Sequence, residues 1–250
     1  MRYFNLIRNL SNWWLYLAIK FGINNTDPVL FRTRRGVLVE VPQRLIQTFK
    51  EIFMDECYMD GLELNVPDNS TIIDIGANAG FFTLFATSRF NDSRVFAYEP
   101  IPSNSKQLAR NRGLNGGCSI ECFQKAVAGH SGTVEIMFDP DDSFTTSATI
   151  FQKPYRHNQV IQVPSITLSD IFKEHSVKRC DLLKMDCEGA EYDIIYSCPL
   201  ECLVRIDQMA MEVHGGTESG QNIDSLEAYL NKQGFATRRR PVGMLWAWKR

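Results

Sequence analysis

Acidic residues stand where strands should end in this chain, and their spacing is where chemistry can be read. Asp74-Ile-Gly76-Ala77-Asn78-Ala79-Gly80 follows the apolar run Thr71-Ile-Ile73, and Glu99 comes 25 residues after Asp74, closing the stretch Arg94-Val-Phe-Ala-Tyr98. The first run reads as a buried strand, and its small residues leave a turn whose backbone a ligand can approach closely. A dinucleotide site wants Gly-x-Gly-x-x-Gly, so that a pyrophosphate rests on bare amides; here Asn78 stands where another glycine is often found. A carboxylate at Asp74 repels a pyrophosphate but suits an ammonium group, while nearby free amides can take a carboxylate. Glu99 can accept both hydroxyls of a ribose. Taken singly, Asp74 reads equally as an acid tucked against turn amides, and Glu99 as a cap on the helix opened by Pro100. Together and in this order they point to an amino acid joined to a nucleoside.

Ligands in open α/β sheets bind beyond the carboxyl ends of the strands. Three further segments qualify: Gln124-Lys-Ala126-Val, Lys184-Met-Asp186-Cys-Glu188-Gly-Ala-Glu191 and Met211-Glu212-Val-His214. His214, with a near-neutral unperturbed pKa, is the best single candidate for a base that takes a hydroxyl proton; its bland alternative is a histidine bonded to a backbone carbonyl. Asp186 could orient an ammonium group, act as a base or share a divalent ion. With Glu188 and Glu212 it would form an oxygen-rich set suited to Mg²⁺ or Ca²⁺. Helix capping explains Glu188 and Glu191 equally. Lys184 faces one side of a buried strand and can pair with a carboxylate. No zinc site is expected, since the four histidines are scattered and no Cys-x-x-Cys occurs.

Ile-Asp-Ile-Gly-Ala-Asn-Ala-Gly, Tyr-Glu-Pro, Leu-Lys-Met-Asp-Cys-Glu-Gly-Ala-Glu and Met-Glu-Val-His, in this order, resemble the FkbM-type family of S-adenosylmethionine-dependent methyltransferases. The resemblance covers about residues 51–214, and the Lys-x-Asp-x-Glu-Gly-x-Glu block is its specific part. It implies a Rossmann-like class I methyltransferase fold: a seven-stranded, mostly parallel sheet with an antiparallel last strand and helices on both faces. It implies S-adenosylmethionine as cofactor and methyl transfer to oxygen, often a sugar or polyketide hydroxyl, without naming the acceptor; a carbohydrate or lipid-linked glycan is the acceptor expected here. Asp74, Gly76, Ala77, Asn78, Gly80, Glu99, Pro100, Ala126 and Asp186 then hold the cofactor, with Asp186 and His214 at the reacting centre. Glu56 and Tyr58, closing the helix before the glycine turn, could cover the methionine end; packing or exposure explains them as well.

Those residues need a scaffold, and the chain supplies an alternation of strands and helices that predicts a parallel sheet with right-handed crossovers. After an aromatic N-terminal helix, 29–41 reads as a hairpin turning at Arg35-Gly36, and 45–59 as a helix. Strands are expected over 71–75, 94–98, 119–124, 181–185 and 206–213, with helices over 76–90, 103–112, 168–175, 189–196 and 223–233. The tail, 235–240 and 243–248, forms a last pair of strands. Thr167, with Asp170 three residues on, marks a helix start. Strand-like 132–138 and 159–163 flank a polar stretch, 139–158, expected to be a substrate lid. The simplest partition is residues 1–66 as helix, hairpin and cap helix, and 67–250 as the cofactor-binding domain.

Composition bounds the partners. The chain has 250 residues, 44% hydrophobic and 22% charged, as an ordinary globular protein has, and a net charge of −2 with a pI near 6.1 argues against nucleic acid. Seven cysteines, an odd number, fit reduced thiols in a cytoplasmic setting. The apolar run within residues 1–21 is too short and interrupted to span a bilayer, which takes about 20 apolar residues. Packing on the domain or at a homodimer contact is the favoured reading there, with peripheral membrane contact the alternative. The competing enzyme class is an NAD-dependent oxidoreductase, disfavoured by the missing middle glycine; a non-enzymatic scaffold of the same fold is disfavoured by the intact acidic set. A protein side chain or another small molecule remains open as acceptor.

Overall fold

The computed structural model describes residues 2–138, 159–216, 218–241 and 243–250. The lid expected over 139–158 lies outside the described residues. At the centre, β3 (Thr71–Ile75), β4 (Arg94–Tyr98), β5 (Ser119–Phe123), β9 (Leu182–Met185), β10 (Gln208–Glu212), β11 (Phe235–Arg239) and β12 (Met244–Lys249) form one sheet. Their spatial order is β5-β4-β3-β9-β10-β12-β11, and β12 runs antiparallel to both its neighbours. The mostly parallel, seven-stranded sheet with an antiparallel last strand is thus present.

Alternation along each strand sends successive side chains to opposite faces. Ile73, Ile75, Phe96, Leu183, Met185, Met209 and Met211 pack on one side, against α6 (Leu168–Glu174), α7 (Glu191–Ser197) and α9 (Ile223–Lys232). Ile72, Val95, Leu182 and Ala210 face α4 (Phe81–Arg89), whose Phe81, Phe82 and Phe85 are buried. Thr167 caps α6 as expected, its side chain accepting the Asp170 amide. The crossover helix α5 (Pro102–Gly113) joins β4 to β5, and a four-residue helix, α8 (Leu200–Leu203), follows α7.

The N-terminal segment folds onto the α4 face. The expected single helix is two, α1 (Arg2–Asn9) and α2 (Trp14–Lys20). The break has a local cause: Leu10 bridges to Thr33, and the Ser11 amide donates to the Arg32 carbonyl at 2.8 Å, so the chain runs briefly beside the hairpin β1 (Val29–Arg32) and β2 (Leu38–Val41). After a 3-10 turn at Gln43–Leu45 comes α3 (Ile46–Phe53), shorter than expected because Glu56, at φ 50°, turns the chain away. Phe31, Phe49 and Phe53 stack beneath this cap, and Phe85 meets Phe53 edge to face. A separate small sheet joins β6 (Ala126–Val127) to β8 (Gln159–Ile166) and β8 to β7 (Gly132–Phe138), explaining why the alternation lapses there.

Candidate active site

A cavity of about 700 Å³ opens at the carboxyl ends of β3, β4, β9 and β10, with α3 and the loop after it as its outer wall. Gly76, Ala77, Asn78, Tyr58, Glu99, Pro100, Ala126 and Asp186 all line it. Gly76 is obligatory: at φ 71°, a Cβ there would lie 1.7 Å from the Asp186 carbonyl oxygen, so only glycine lets the turn pass the end of β9.

At one end lies Glu99, only 4% exposed. Its Oε2 accepts the Asn78 amide at 2.8 Å and its Oε1 the Ile101 amide at 2.9 Å. Burial pushes its carboxyl up to about 7, against the lowering effect of those amides and of Asn104. With the two amides and Asn104 bonded to it, the carboxylate keeps one of its roughly four lone-pair sites for a ligand hydroxyl. Apolar Ala126, Val134 and Ile136 adjoin this end.

At the other end two carboxylates stand side by side. Met185 of β9 and Met211 of β10 are register partners, so Asp186 and Glu212, each one residue further on, leave neighbouring parallel strands on the same face. Tyr58 donates its hydroxyl to Asp186 Oδ2 at 2.7 Å, and burial keeps that phenol protonated by raising it well above its ordinary value. Glu212 is pushed up to about 7, first by burial and then by the charge of Asp186. The outer wall adds Arg44, Gln47, Thr48 and Glu51, one polar face of the helical segment whose opposite face buries Phe49 and Phe53. That 3/4 spacing was the available sequence signal for these missed residues.

Several expected roles are corrected. Asp74 does not reach the cavity: it is fully buried, its Oδ1 lies 3.1 Å from Lys184 Nζ, and its Oδ2 accepts the Thr83 hydroxyl at 2.6 Å. Lys184 Nζ also donates to the carbonyls of Gly76 at 2.7 Å and Ile75 at 3.3 Å. The turn amides are not free for a ligand carboxylate. Gly76 and Ala77 donate to the Tyr98 carbonyl, Asn78 to Glu99, Ala79 to the Asn78 side chain and Gly80 to Ala77. Gly80 serves packing rather than the cavity, since a Cβ there would lie 2.5 Å from Leu108 Cδ1. Glu56 faces the N-terminal helix, where it accepts from Arg8 and, at 2.8 Å, from Asn9.

His214 is not a free base. Its Nδ1 lies 3.1 Å from Glu191 Oε1 and its Nε2 3.8 Å from Glu188, and it does not line the cavity. Burial works against its charge, but the hydrogen bond to Glu191 and the nearby carboxylates outweigh it and raise the imidazolium to about 9. A group already protonated at neutral pH cannot take a proton there. Nor do Asp186, Glu188 and Glu212 assemble a divalent set: among the described residues no three His, Cys, Asp or Glu side chains are gathered to hold a metal ion.

Comparison with known proteins gives the family and the fold. The sequence pattern described as the methyltransferase FkbM domain matches residues 74–236. Methyltransferase 1 of Beauveria bassiana is 29% identical over 203 residues, covering 75% of this chain and 79% of its own. The 31-O-demethyl-FK506 methyltransferase FkbM of Streptomyces tacrolimicus is 28% identical over 195 residues, covering 66% and 73%. The crystal structure of methyltransferase FkbM from Methylobacillus flagellatus superposes with a TM-score of 0.50 at 14% identity, a likeness of fold. It covers 82% of this chain and 54% of that one, so this chain spans about half of that protein.

Proposed function

The chain belongs to the FkbM methyltransferase family, and from that premise we propose that it transfers the methyl group of S-adenosylmethionine to a hydroxyl of a carbohydrate or lipid-linked glycan. The observation that carries the reading is the cavity's polarity, with a buried carboxylate for a hydroxyl at one end and a carboxylate pair at the other. When bound, S-adenosylmethionine supplies a methyl group on a sulfonium, activated for displacement by an acceptor oxygen.

The protein's own work is alignment and proton removal. Glu99, oriented by the Asn78 and Ile101 amides, would accept a ribose hydroxyl with its remaining lone pair. Asp186, fixed by Tyr58, attracts the ammonium group in place of Asp74. Glu212 takes the acceptor's proton, its carboxyl near 7 being matched to neutral solution. The polar strip Arg44, Gln47, Thr48 and Glu51 offers donors and acceptors to a polyhydroxylated acceptor. The relative from Streptomyces tacrolimicus is named for a 31-O-demethyl compound, which supports oxygen as the methylated atom and keeps another small-molecule hydroxyl as the second reading.

Calorimetric titration with S-adenosylhomocysteine tests the cofactor; absence of heat and of a thermal shift at millimolar ligand would remove it. Transfer from methyl-labelled S-adenosylmethionine to sugar nucleotides, glycan extracts and small phenols, with and without chelator, tests the acceptor. Label entering only protein or phenol fractions would overturn the carbohydrate assignment.

A further inference from the structure

The charge of this chain is unevenly distributed. Its first 50 residues carry eight lysines and arginines against two acidic residues, whereas the remaining 200 carry 19 against 27. The basic end is also where apolar side chains stay exposed. Helix α2, Trp-Leu-Tyr-Leu-Ala-Ile-Lys, has no fully buried residue, its Leu15, Tyr16 and Ile19 packing on the core only in part. Phe4 is 65% exposed, Trp14 54%, Phe21 70% and Ile23 79%. The two N-terminal helices touch at Lys20, which donates to the Tyr3 hydroxyl at 2.7 Å, so their exposed aromatics belong to one region of the cap.

Beside α1 lies a cleft of about 160 Å³ whose walls include Arg8, Arg34, Arg35 and Arg89 with Asn9 and Ser88. Arg8 is ion-paired with Glu56 and its guanidinium lies 6.0 Å from the Phe4 ring. Arg34 and Arg35 instead donate to neutral oxygens: Arg34 to the Ile7 carbonyl at 3.0 Å, and Arg35 to the Arg89 carbonyl at 3.0 Å and Asn91 Oδ1 at 2.7 Å. Those bonds hold the guanidinium groups in place through neutral oxygens, with Asp68, bonded to Asn91, the carboxylate that feels the charge of Arg35. A fixed cationic cleft adjoining exposed aromatic and aliphatic side chains matches a surface of anionic headgroups over acyl chains.

We propose that residues 2–23, with the arginine cleft formed by Arg8, Arg34, Arg35 and Arg89, dock this protein on an anionic lipid surface. The exposed Tyr3, Phe4, Ile7, Trp14, Phe21 and Ile23 enter the headgroup boundary while the cleft takes lipid phosphate, and Leu6, Leu15, Tyr16 and Ile19 stay packed on the core. This assignment is independent of the proposed reaction, since none of the cleft residues lines the large cavity.

Co-sedimentation of the full chain with vesicles tests it. Vesicles of phosphatidylcholine with about 30% phosphatidylglycerol should carry the protein down at low salt, with weaker recovery on pure phosphatidylcholine or at roughly 0.5 M salt. Replacing Arg34, Arg35 and Arg89 together by serine should weaken partition on the order of 100-fold, each cation near the surface being worth about fivefold. Phe4→Ser with Phe21→Ser should reduce binding to both vesicle types. These side chains are exposed, and unchanged melting curves confirm that the variants fold. Full recovery of the wild-type chain in the supernatant over anionic vesicles at low salt overturns the proposal. So does a thermal shift with inorganic phosphate that the arginine variant loses while vesicle binding is absent, which would assign the cleft to a soluble anion. A dimer in sedimentation equilibrium that Phe4→Ser with Phe21→Ser dissociates, again without vesicle binding, would assign the apolar face to a second copy.

Discussion

Glu99→Gln separates ligand binding from stability. The side chain is nearly isosteric, but its amide can face only one of two backbone N–H groups as an acceptor. The other, Asn78 or Ile101, then meets a donor. That mismatch costs about 1–3 kcal/mol. Against it, the wild-type carboxyl is pushed up to about 7 from 4.5 by burial, so ionisation at pH 8 costs the wild-type fold about 3 kcal/mol that glutamine does not pay. The two contributions nearly cancel, and the ligand-free variant should melt within a few degrees of wild type at pH 8. The sign of the pH dependence follows from linkage. A carboxyl whose folded pKa exceeds its unfolded value gives stability that is fully present below 4.5 and declines as pH rises to about 7, a slope the variant should lack. Binding behaves differently. Loss of one charge-assisted bond to a ribose hydroxyl, about 1.5–3 kcal/mol, should weaken S-adenosylhomocysteine by about 10- to 100-fold. Wild-type affinity should rise with pH up to about 7 and then level off, while the variant stays flat. Calorimetry at pH 6, 7 and 8 measures both effects. A variant that binds within about threefold of wild type at pH 8, or one that keeps the slope, would refute the assignment of Glu99 to the ligand.

Glu212→Gln should lower kcat by about 10²–10⁴ with S-adenosylhomocysteine affinity retained, read in single-turnover transfer; unchanged turnover would acquit it as the base. His214→Asn should keep most turnover but melt earlier at pH 6. The raised imidazolium contributes stability that is full below 6.5 and lost as pH rises through about 9, so the deficit should close by then, and a constant deficit would contradict the ion pairs. Gly76→Ala should cost roughly 3 kcal/mol or more, because the clashing atom is a backbone oxygen and φ is positive; a soluble variant with wild-type melting would show that the turn can shift.

Much of this was legible where structure follows local pattern. The five parallel strands, the terminal strand pair and the cap at Thr167 lie where apolar runs and turn residues put them. Glu99 and Asp186 line the cavity as expected, because a strand end is a local signal and clefts in α/β sheets open at strand ends. What failed was what depends on partners distant in sequence. Nothing near Asp74 announces that Lys184 will claim it, and nothing near His214 announces Glu191. Glu56 looked like a helix-end acid facing a ligand, yet Arg8 and Asn9 draw it to the other side. The break between α1 and α2 likewise comes from strand-like pairing with the hairpin, which periodicity within one helix cannot reveal.

The Asp74–Lys184 pair changes where the electrostatic argument resides. An acid in the glycine-turn strand was expected to reject linked phosphates and attract an ammonium group, but this one is neutralised in the core. Lys184 uses the ion pair to reach the carbonyls of Ile75 and Gly76, so the pair fixes the turn from beneath, and breaking it by removing one partner would leave a buried charge at a cost of about 3–5 kcal/mol. Selectivity against phosphates then rests on two other features. The turn amides that a pyrophosphate would need are already bonded inside the protein, and the cavity wall beside them carries Asp186, Glu188 and Glu212. A wall of carboxylates repels an anion and draws a cation. Substitution of Asp74 should therefore perturb the shape and stability of the turn before it perturbs the charge seen by a ligand.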